Sequence, residues 1–593
     1  MKKNIYLLFV LTLAVLPLWA DEPYFYDGRG EKVTFSVRKD KVLLKYDSKS
    51  GAETLQEQIA AKEMKLLRQD MAIADIDTAK VQLSAIRKIS GVSDAGYMLE
   101  NKSGMLMSPT GKLFIRCREG LSIDRMLEIA GVSKKVILKE LHNENAQIYA
   151  ITFDEKPEDR LSIAARLYET GLCEFVEPSF LVVNTLEPTI RQNIARSATV
   201  LPLDTTDYYP MQWGLKNTAQ FPIDGMRAGC DINIEPAWAI TKGASTIKIA
   251  VVDNGVQLDH PDLAGNLLPG YDAMGNQSGD GSPYDIDTSH GTACAGIIAA
   301  VDNGVGVVGV APNCKIIPVK IYDIFQFFPE DIEAGLRYAW SVANADIISC
   351  SWSGDETNTY FSSLIAAQID NAAVYGRDGK GCVVVCAAGN QGNSQVRFPS
   401  SLSSTIAVGA ISPCGERKTP SACNNGYGGS GNSNYGTGLD VVAPGVSIYT
   451  TDLGGSIDSL FRDTSAACPF VSGIAALVLS VDPLLTSQEV REIICSTASY
   501  AELSSYGSLS WNFGNGLVKA SGAVSLAQTY CKREYINQTI TTNTTVSDND
   551  CTIKVQNVTV TNNAKLTLDA RREIEVADSF EVTLGSELEL MPE

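Results

Sequence analysis

The sequence contains little histidine, little cysteine and no excess of basic residues, and each shortage excludes a class of protein. Three His and fourteen Cys occur among 593 residues, which is far too little cysteine for a scaffold held together by disulfides. Lys and Arg number 49 against 69 Asp and Glu, so the formal net charge is −20. Such a chain repels nucleic-acid phosphates and anionic lipid alike, so we expect its partners to be proteins and not nucleic acid.

Long apolar runs are also scarce, and the one that stands out lies at the N-terminus. Two lysines precede an apolar run over residues 5–16, and Pro17 and the small residue Ala20 follow it. This order is typical of a signal peptide over residues 1–20. The run is too short to cross a bilayer and no second run follows, so the mature protein is predicted to have no transmembrane segment. We expect it to be secreted, periplasmic or attached to the cell surface.

Export permits disulfide bonds. Cys414 and Cys423 are the closely spaced pair with a polar loop between them, and they are the candidate disulfide. Most of the other cysteines lie in apolar runs, where they are expected to pack as small hydrophobic residues.

The length predicts several folding units, because 593 residues exceed what a single core organises. After the signal peptide, the predicted segments are a β-rich leader region at 21–111 with a charged helical stretch over 53–70, a ferredoxin-like α+β unit at 112–185, a linker at 186–206, an α/β domain at 207–530 and a small all-β module at 531–593. The ferredoxin-like prediction rests on the order β-α-β-β-α-β. Short alternating strands broken by Asn-Asn and Gly-Ser favour a coil of repeated strands in the last module.

Between residues 247 and 530 the predicted strands are uninterrupted apolar runs. They cover 247–252, 314–321, 345–351, 382–388 and 405–410. Such strands need cover on both faces, as in a parallel sheet, and helical stretches alternate with them. We therefore predict a three-layer, doubly wound and mainly parallel α/β domain.

The shortage of histidine narrows the search for a catalytic base, because histidine is the usual base near neutral pH. His142 lies in a polar turn and is expected to be exposed, and His260 precedes a proline and is expected to be structural. His290 opens a predicted helix that follows a strand end. A histidine in such a place is more often structural than catalytic. A catalytic role for His290 therefore depends on whether other polar residues are placed to act with it.

Three further polar residues stand at positions where a site is expected. Asp253 directly follows a buried strand, and the carboxyl ends of parallel strands form the ligand crevice of α/β sheets. Asn390 ends another buried strand, and Ser465 begins a long apolar helix. Each has an ordinary structural explanation, as a turn residue or a helix cap. Together Asp253, His290 and Ser465 have the chain order of a subtilisin-type catalytic triad.

Motifs around these residues resemble the subtilase family of serine peptidases. They are Val251-Val252-Asp253-Asn254-Gly255-Val256, His290-Gly291-Thr292, Ala387-Ala388-Gly389-Asn390 and Thr464-Ser465-Ala466-Ala467-Cys468-Pro469. The resemblance covers about residues 212–526. It implies a subtilisin-like domain in which His290 takes the proton of Ser465, Asp253 holds the histidine tautomer, and Asn390 with the Ser465 N–H binds the oxyanion.

The resemblance also implies a substrate cleft and a metal site. Peptide is expected to bind as an extended strand along Ser351, Trp352, Ser353, Gly354, Ala388 and Gly389. Trp352 and Ser353 replace smaller residues of many relatives and are expected to narrow the first pocket. The residues matching a structural calcium site are Asp262, Asn303, Val305 and Val307, although a plain Asn-Gly turn is the alternative. The chemistry itself requires no cofactor.

By the same resemblance, residues 112–185 would be a prodomain that inhibits the enzyme within the chain, and the linker at 186–206 would contain the maturation site. Cys294 resembles a buried cysteine found beneath the catalytic histidine in some subtilases. Asp463 departs from the family, which usually has glycine there.

Two functions remain open at this point. The first is a secreted endopeptidase made as a zymogen, acting on polypeptides. The second is a catalytically silent relative that serves as a binding scaffold, supported by Asp463 and by Cys468 and Ala293, which also depart from the residues common in the family. An α/β-hydrolase esterase would need Gly-x-Ser-x-Gly and a zincin would need His-Glu-x-x-His, and neither motif occurs.

Overall fold

The computed structural model describes residues 22–183 and 200–592, apart from short segments. Those left out are 28, 48–51, 69, 103, 119–120, 130–135, 142–147 and 154–156 in the first range, and 203–205, 276–278, 284–288, 324–325, 355–361, 422, 424–428, 505–507, 531, 549–551, 571–573 and 577–578 in the second. The predicted signal peptide, most of the predicted linker and His142 therefore lie outside the described residues. The chain forms two compact units, residues 1–185 and 186–593.

The first unit is built on an antiparallel sheet with a small hairpin beside it. Its strands are Tyr24–Tyr26, Lys32–Thr34, Ser36–Tyr46, Glu63–Arg68, Met71–Asp75, Val92–Glu100, Leu106–Cys117, Val136–Leu141, Ile148–Phe153 and Cys173–Val183. Its helices are Ala52–Gln58, Leu83–Ile86, Ile123–Ile129 and Pro157–Glu169. From Leu106 onward the order is β-α-β-β-α-β, and the four strands lie side by side as fourth, first, third and second.

The predicted border at 111/112 is wrong as a structural boundary. Leu106–Cys117 is one continuous strand, and its beginning pairs with Val92–Glu100 of the leader region. Its end pairs with Ile148–Phe153. The leader region and the ferredoxin-like part therefore share one sheet, because a single buried strand runs through both.

The predicted helical stretch 53–70 is correct only in its first third. The helix ends at Gln58, and Glu63–Arg68 forms a strand that pairs with Met71–Asp75. Hydrogen bonds to a neighbouring strand outweigh the helical preference of this charged segment.

The second unit contains a parallel seven-stranded sheet. Its strands, in spatial order, are Tyr271–Asp272, Lys315–Lys320, Lys248–Asp253, Ile347–Cys350, Val383–Ala387, Thr405–Ile411 and Val441–Pro444. All their pairings are parallel. The chain order reverses on either side of Lys248–Asp253, and such a switch point is where α/β sheets place their ligands.

Helices cover both faces of this sheet, as the predicted three-layer architecture requires. The α-helices of the unit are Ile234–Trp238, His290–Ala299, Pro329–Arg337, Ser363–Tyr375, Thr464–Val481, Ser487–Ser496, Leu509–Phe513 and Ala520–Ala527. Ile249 and Val251 point to the core that contains the Thr464–Val481 helix, and Ala250 and Val252 point to the opposite core. Within the described residues, Thr464–Val481 is also the one helix long and apolar enough to cross a membrane, and most of it is buried inside the protein.

A small antiparallel sheet lies beside the main one. Ile448–Asp452 and Ser456–Phe461 form a hairpin, and Val200–Pro202 of the predicted linker pairs with the second strand. This hairpin leads directly to the helix that carries Ser465.

The C-terminal residues form a coil of parallel strands with a core of its own. One sheet contains Lys532–Ile540, Thr552–Val560, Ile574–Val576 and Glu581–Val582, and a second contains Thr544–Asp548, Lys565–Ala570 and Glu587–Pro592. Strands pair with strands one turn later, as in Lys532 with Thr552 and Thr544 with Leu566. Alternate apolar residues from both sheets fill the interior. This is the geometry of a short β-solenoid.

Candidate active site

The candidate triad residues lie on three different elements around the switch point of the sheet. Asp253 is the last residue of the central strand Lys248–Asp253. His290 is the first residue of its helix, and Ser465 is the second residue of the helix Thr464–Val481. A strand end and two helix starts therefore place the candidate carboxylate, base and nucleophile.

Asp253 and His290 are joined directly. The Nδ1–H of His290 donates to Asp253 Oδ1 over 2.8 Å, and the Asp253 side chain is 1% exposed whereas that of His290 is 30% exposed. The Asn254 N–H and the Tyr322 hydroxyl donate to the same carboxylate oxygen, at 2.8 and 3.0 Å. Because Nδ1 carries the proton, Nε2 is the basic nitrogen of a neutral His290.

This arrangement shifts the titration of the imidazole. Burial lowers the pKa of His290, but the charge and hydrogen bond of Asp253 outweigh it and raise the pKa above its usual value. Burial and the Asp253 carboxylate raise the pKa of Tyr322 as well, so this hydroxyl remains a hydrogen-bond donor. Tyr322 was missed by the sequence analysis, although it lies two residues after the neighbouring strand Lys315–Lys320.

Ser465 lies at the start of the helix that packs against the His290 helix, but among the described contacts it is not hydrogen-bonded to His290. Its hydroxyl donates to the Ser351 carbonyl over 3.0 Å. Cys294 links the two helices, with Sγ 4.0 Å from His290 Nδ1 and 3.7 Å from the Ser465 carbonyl oxygen. That carbonyl lacks its usual helix partner because residue 469 is a proline without an N–H. The Ser465 hydroxyl must turn away from Ser351 before a base can take its proton.

Asn390 is held by the turn that precedes Ser465. Its Oδ1 accepts from the Thr464 N–H at 3.0 Å and from the Thr464 hydroxyl at 2.8 Å. The Gly389 N–H donates to the same hydroxyl at 3.3 Å. With Oδ1 engaged in this way, the Asn390 NH₂ group is the part left to bind a ligand. Thr464 was also missed by the sequence analysis, since its role appears only when the two loops meet.

The predicted substrate residues line two neighbouring loops, but their main-chain groups differ in availability. Ala388 donates to Val408 and accepts from Arg397, and the Gly389 carbonyl accepts from Asn434. These main-chain groups are therefore already used within the protein, and the binding of a peptide along Ala388 and Gly389 stays a prediction.

The Ser351–Gly354 loop has more main-chain groups available to a peptide, as far as the described contacts go. The Gly354 N–H donates to Phe398, whereas the main-chain groups of Ser353 have no partner among the described residues. The Trp352 indole donates to the Val252 carbonyl over 2.9 Å and packs against the sheet. Its narrowing of the first pocket, like that by Ser353, stays a prediction.

The candidate calcium residues surround a buried carboxylate with an unused oxygen. Asp262 is fully buried, its Oδ2 accepts from the Val307 N–H at 2.8 Å, and its Oδ1 has no partner among the described residues. Burial raises the pKa of Asp262 to about 6, although the Val307 N–H and the Asn303 side chain oppose the shift. Asn303 Oδ1 accepts from the Val305 N–H at 2.9 Å, as in a simple turn. The orphan oxygen of Asp262 fits a hard cation, since a buried anion is otherwise costly.

The structure also describes His260 and the two cysteines that are the candidate disulfide. His260 is buried, with Nδ1 accepting from the Asp262 N–H and Nε2 facing the Ser456 carbonyl at 3.1 Å, which is a structural role. A disulfide joins Cys414 to Cys423, whose Cα atoms are 6.0 Å apart.

Comparisons with known proteins match this part of the chain. A sequence model of the subtilase family matches residues 244–516. "Subtilisin" of Bacillus pumilus is 35% identical over 289 residues, which are 47% of this chain and 91% of that protein. The chain belongs to the subtilase family. As a subtilase it is a serine endopeptidase.

Two further relatives extend the comparison. The "Thermophilic serine proteinase" of a Bacillus species is 33% identical over 362 residues, 59% of this chain and 76% of that protein. The "Calcium-dependent protease" of Trichormus variabilis is 33% identical over 318 residues, 48% of this chain and 46% of that protein. The three matches cover 47%, 59% and 48% of this subtilase.

Proposed function

We propose that this subtilase is a secreted endopeptidase that hydrolyses peptide bonds through an acyl-enzyme, with Asp253, His290 and Ser465 as its triad. The observation that carries the proposal is the buried Asp253 carboxylate bound to His290 Nδ1 at 2.8 Å beside the start of the Ser465 helix. An imidazole fixed in this tautomer presents Nε2 to a hydroxyl, which is what a general base for serine requires.

The reaction follows from these positions. The Ser465 hydroxyl leaves the Ser351 carbonyl, gives its proton to His290 Nε2 and attacks the scissile carbonyl carbon. The negative oxygen of the tetrahedral intermediate is bound by the Asn390 NH₂ group and the Ser465 N–H at the positive end of its helix. His290 then protonates the leaving amine, and water releases the acyl group by the same steps in reverse.

The substrate is proposed to be an extended polypeptide held along Ser351–Gly354. The main-chain groups of Ser353, which have no partner within the described part of the chain, can bind a peptide backbone without reading its side chains. Ala388 and Gly389 then act as a wall of the cleft, because their main-chain groups are already hydrogen-bonded.

The enzyme is proposed to be exported as a zymogen. Residues 1–20 would direct export, 112–185 would serve as an intramolecular inhibitor, and the linker 186–206 would be cut during maturation. Within this linker, Val200–Pro202 pairs with the strand Ser456–Phe461, and that strand leads to the Ser465 helix. The pairing brings part of the linker to the segment before the proposed nucleophile, which supports cleavage in the linker. The leader region shares the sheet of the inhibitor and is proposed to be removed with it.

A structural calcium ion is proposed at Asp262, with Asn303 and the carbonyl groups of Val305 and Val307 as further ligands. The support is the orphan oxygen of Asp262, together with the calcium dependence named for the relative from Trichormus variabilis. When bound, the ion would neutralise the buried carboxylate and fix the loop, and no catalytic step involves it.

A fluorophosphonate probe tests the proposed triad, because it reacts with activated serines. Purified wild-type protein is expected to form one adduct, at Ser465, and the Ser465→Ala variant none. Ser465→Ala should also remain unprocessed when it is produced without other proteases. Efficient maturation of that variant, or no adduct on folded wild-type protein, would favour the silent binding scaffold instead.

A further inference from the structure

The residue before the Ser465 helix has an unusual backbone for its type. Asp463 has φ 72° and ψ −170°, a region that is occupied almost only by glycine. Its main chain nevertheless serves as the helix N-cap, since its carbonyl accepts from the N–H groups of Ala466 and Ala467. A carboxylate is therefore attached at the point where the nucleophile enters its helix.

The Asp463 side chain does not cap the helix. An aspartate at the N-cap ordinarily accepts from the N–H of the second or third helical residue, and here the second residue is Ser465. No such side-chain bond forms. Instead Asp463 Oδ1 lies 2.5 Å from Lys418 Nζ, and the Lys418 side chain is fully buried.

The surroundings hold Lys418 in this position. Its ammonium group also donates to the Gly431 carbonyl, and a Cβ atom added at Gly431 would collide with the Asp463 carboxylate. Burial lowers the pKa of Lys418, and the nearby carboxylate opposes that shift. Lys418 is 45 residues from Asp463 in the sequence, so the pair is made by the fold alone.

We propose that Lys418 is a positioning residue that holds the Asp463 carboxylate away from the Ser465 N–H and so keeps the oxyanion position open. This rests on the proposed function, in which that N–H binds the oxyanion. Without Lys418 the backbone at Asp463 would be free to return to the extended region of an ordinary N-cap, from which the carboxylate can cap its own helix. The carboxylate would then occupy the donor and place a negative charge where negative charge develops in the transition state.

The test compares single and double variants of the full chain. Lys418→Met is expected to lower the rate of fluorophosphonate labelling at Ser465, and kcat for a short peptide substrate, by about 10²-fold with a much smaller change in KM, the order expected for losing one oxyanion donor. Asp463→Gly removes the carboxylate and suits the backbone, so labelling should stay within about threefold of wild type while Tm falls, because Lys418 is left buried without its anion.

The double variant Lys418→Met/Asp463→Gly distinguishes a positioning role of Lys418 from a purely structural role in stabilising the fold. It removes both partners, so it should fold, and its labelling rate should return to within about threefold of wild type. Arg377→Met is the matched control: Arg377 is 5% exposed, pairs with Asp346 and lies outside the site, so its loss should lower Tm without changing kcat.

Two results would overturn the inference alone. One is wild-type labelling by a folded Lys418→Met protein, and the other is a folded double variant as slow as Lys418→Met. Failure of the wild-type protein to label would overturn the proposed function and the inference with it. The arms therefore separate an incorrect role for Lys418 from an incorrect triad.

Discussion

At the scale of single residues, the hydrogen bond between Asp253 and His290 has two effects on the imidazole. It fixes the imidazole tautomer, and it raises the pKa of His290 above its usual value. A base with a raised pKa becomes protonated, and therefore inactive, while the pH is still close to neutral. The acid limb of kcat/KM against pH should thus lie above about 6.5, and activity should be lost as the pH falls through it.

The variant Asp253→Asn tests both effects, on the tautomer of His290 and on its pKa. An amide can donate to Nδ1 and so favour the wrong tautomer, which should lower kcat by about 10³ to 10⁴-fold. Removal of the negative charge should also move the acid limb of the residual activity to lower pH. Steady-state rates between pH 5 and 9 measure both effects, with Tyr322→Phe as the comparison that keeps the carboxylate. An unchanged limb in Asp253→Asn would mean that a different group sets the pH profile.

Thr464 should affect the oxyanion mainly through Asn390. Its hydroxyl and N–H both donate to Asn390 Oδ1, so Thr464→Val keeps the N–H bond and loses the hydroxyl bond, together with the weaker bond from the Gly389 N–H. We expect kcat to fall by about tenfold with little change in KM, since a loosened amide binds the intermediate less well. Thr464→Ser should restore kcat. If Thr464→Val and Asn390→Ala lower kcat additively when combined, the two residues act independently and this prediction is wrong.

At the scale of elements, continuous apolar runs locate the strands of the catalytic sheet to within one or two residues. The predicted strand 247–252 is Lys248–Asp253 in the structure, and 382–388 is Val383–Ala387. Thr486 and Glu489 form both hydrogen bonds of a capping box at the start of the helix Ser487–Ser496, as their spacing of three residues favours. Local pattern is sufficient here because each run is buried on both faces.

Local pattern fails where distant pairing decides. Glu63–Arg68 is a strand because Met71–Asp75 pairs with it, and Leu106–Cys117 crosses a predicted border because neighbours on both sides extend it. The site shows the same division. Its proposed triad residues lie at a strand end and at two helix starts and could be predicted, whereas Thr464 and Lys418 make contacts with distant segments that no local pattern indicates.

The loop around Asp262 should depend on calcium for its stability. Chelation of the metal by EDTA is expected to lower the Tm of the wild-type protein by several degrees, because it leaves a buried carboxylate whose Oδ1 has no partner among the described residues. Asp262→Asn should abolish the difference between calcium and EDTA, and its Tm should resemble that of the chelated wild type. Differential scanning calorimetry measures these values without any substrate. Equal stabilisation of both proteins by calcium would place the ion elsewhere.

At the scale of the whole molecule, the acidic chain contains cores of different kinds. The parallel sheet of the catalytic part is covered by helices on both faces, while the C-terminal solenoid is filled by its own alternating apolar residues. Each turn of a solenoid contacts mainly its neighbours, so its stability is a sum of local terms. The proposed triad residues all lie on the parallel sheet or on the helices beside it, so the solenoid should contribute little to the chemistry.

A chain that ends at Tyr530 tests this separation. It should keep kcat/KM for a short peptide within about twofold of the full chain, because neither the triad nor Asn390 contacts the solenoid through any described hydrogen bond. Val555→Asp is the matched variant, since it places a charge in the solenoid core while the chain stays complete. It should unfold the module and lower its thermal transition, yet leave the same kcat/KM. A loss of peptide hydrolysis in both proteins would show that the module supports the catalytic fold.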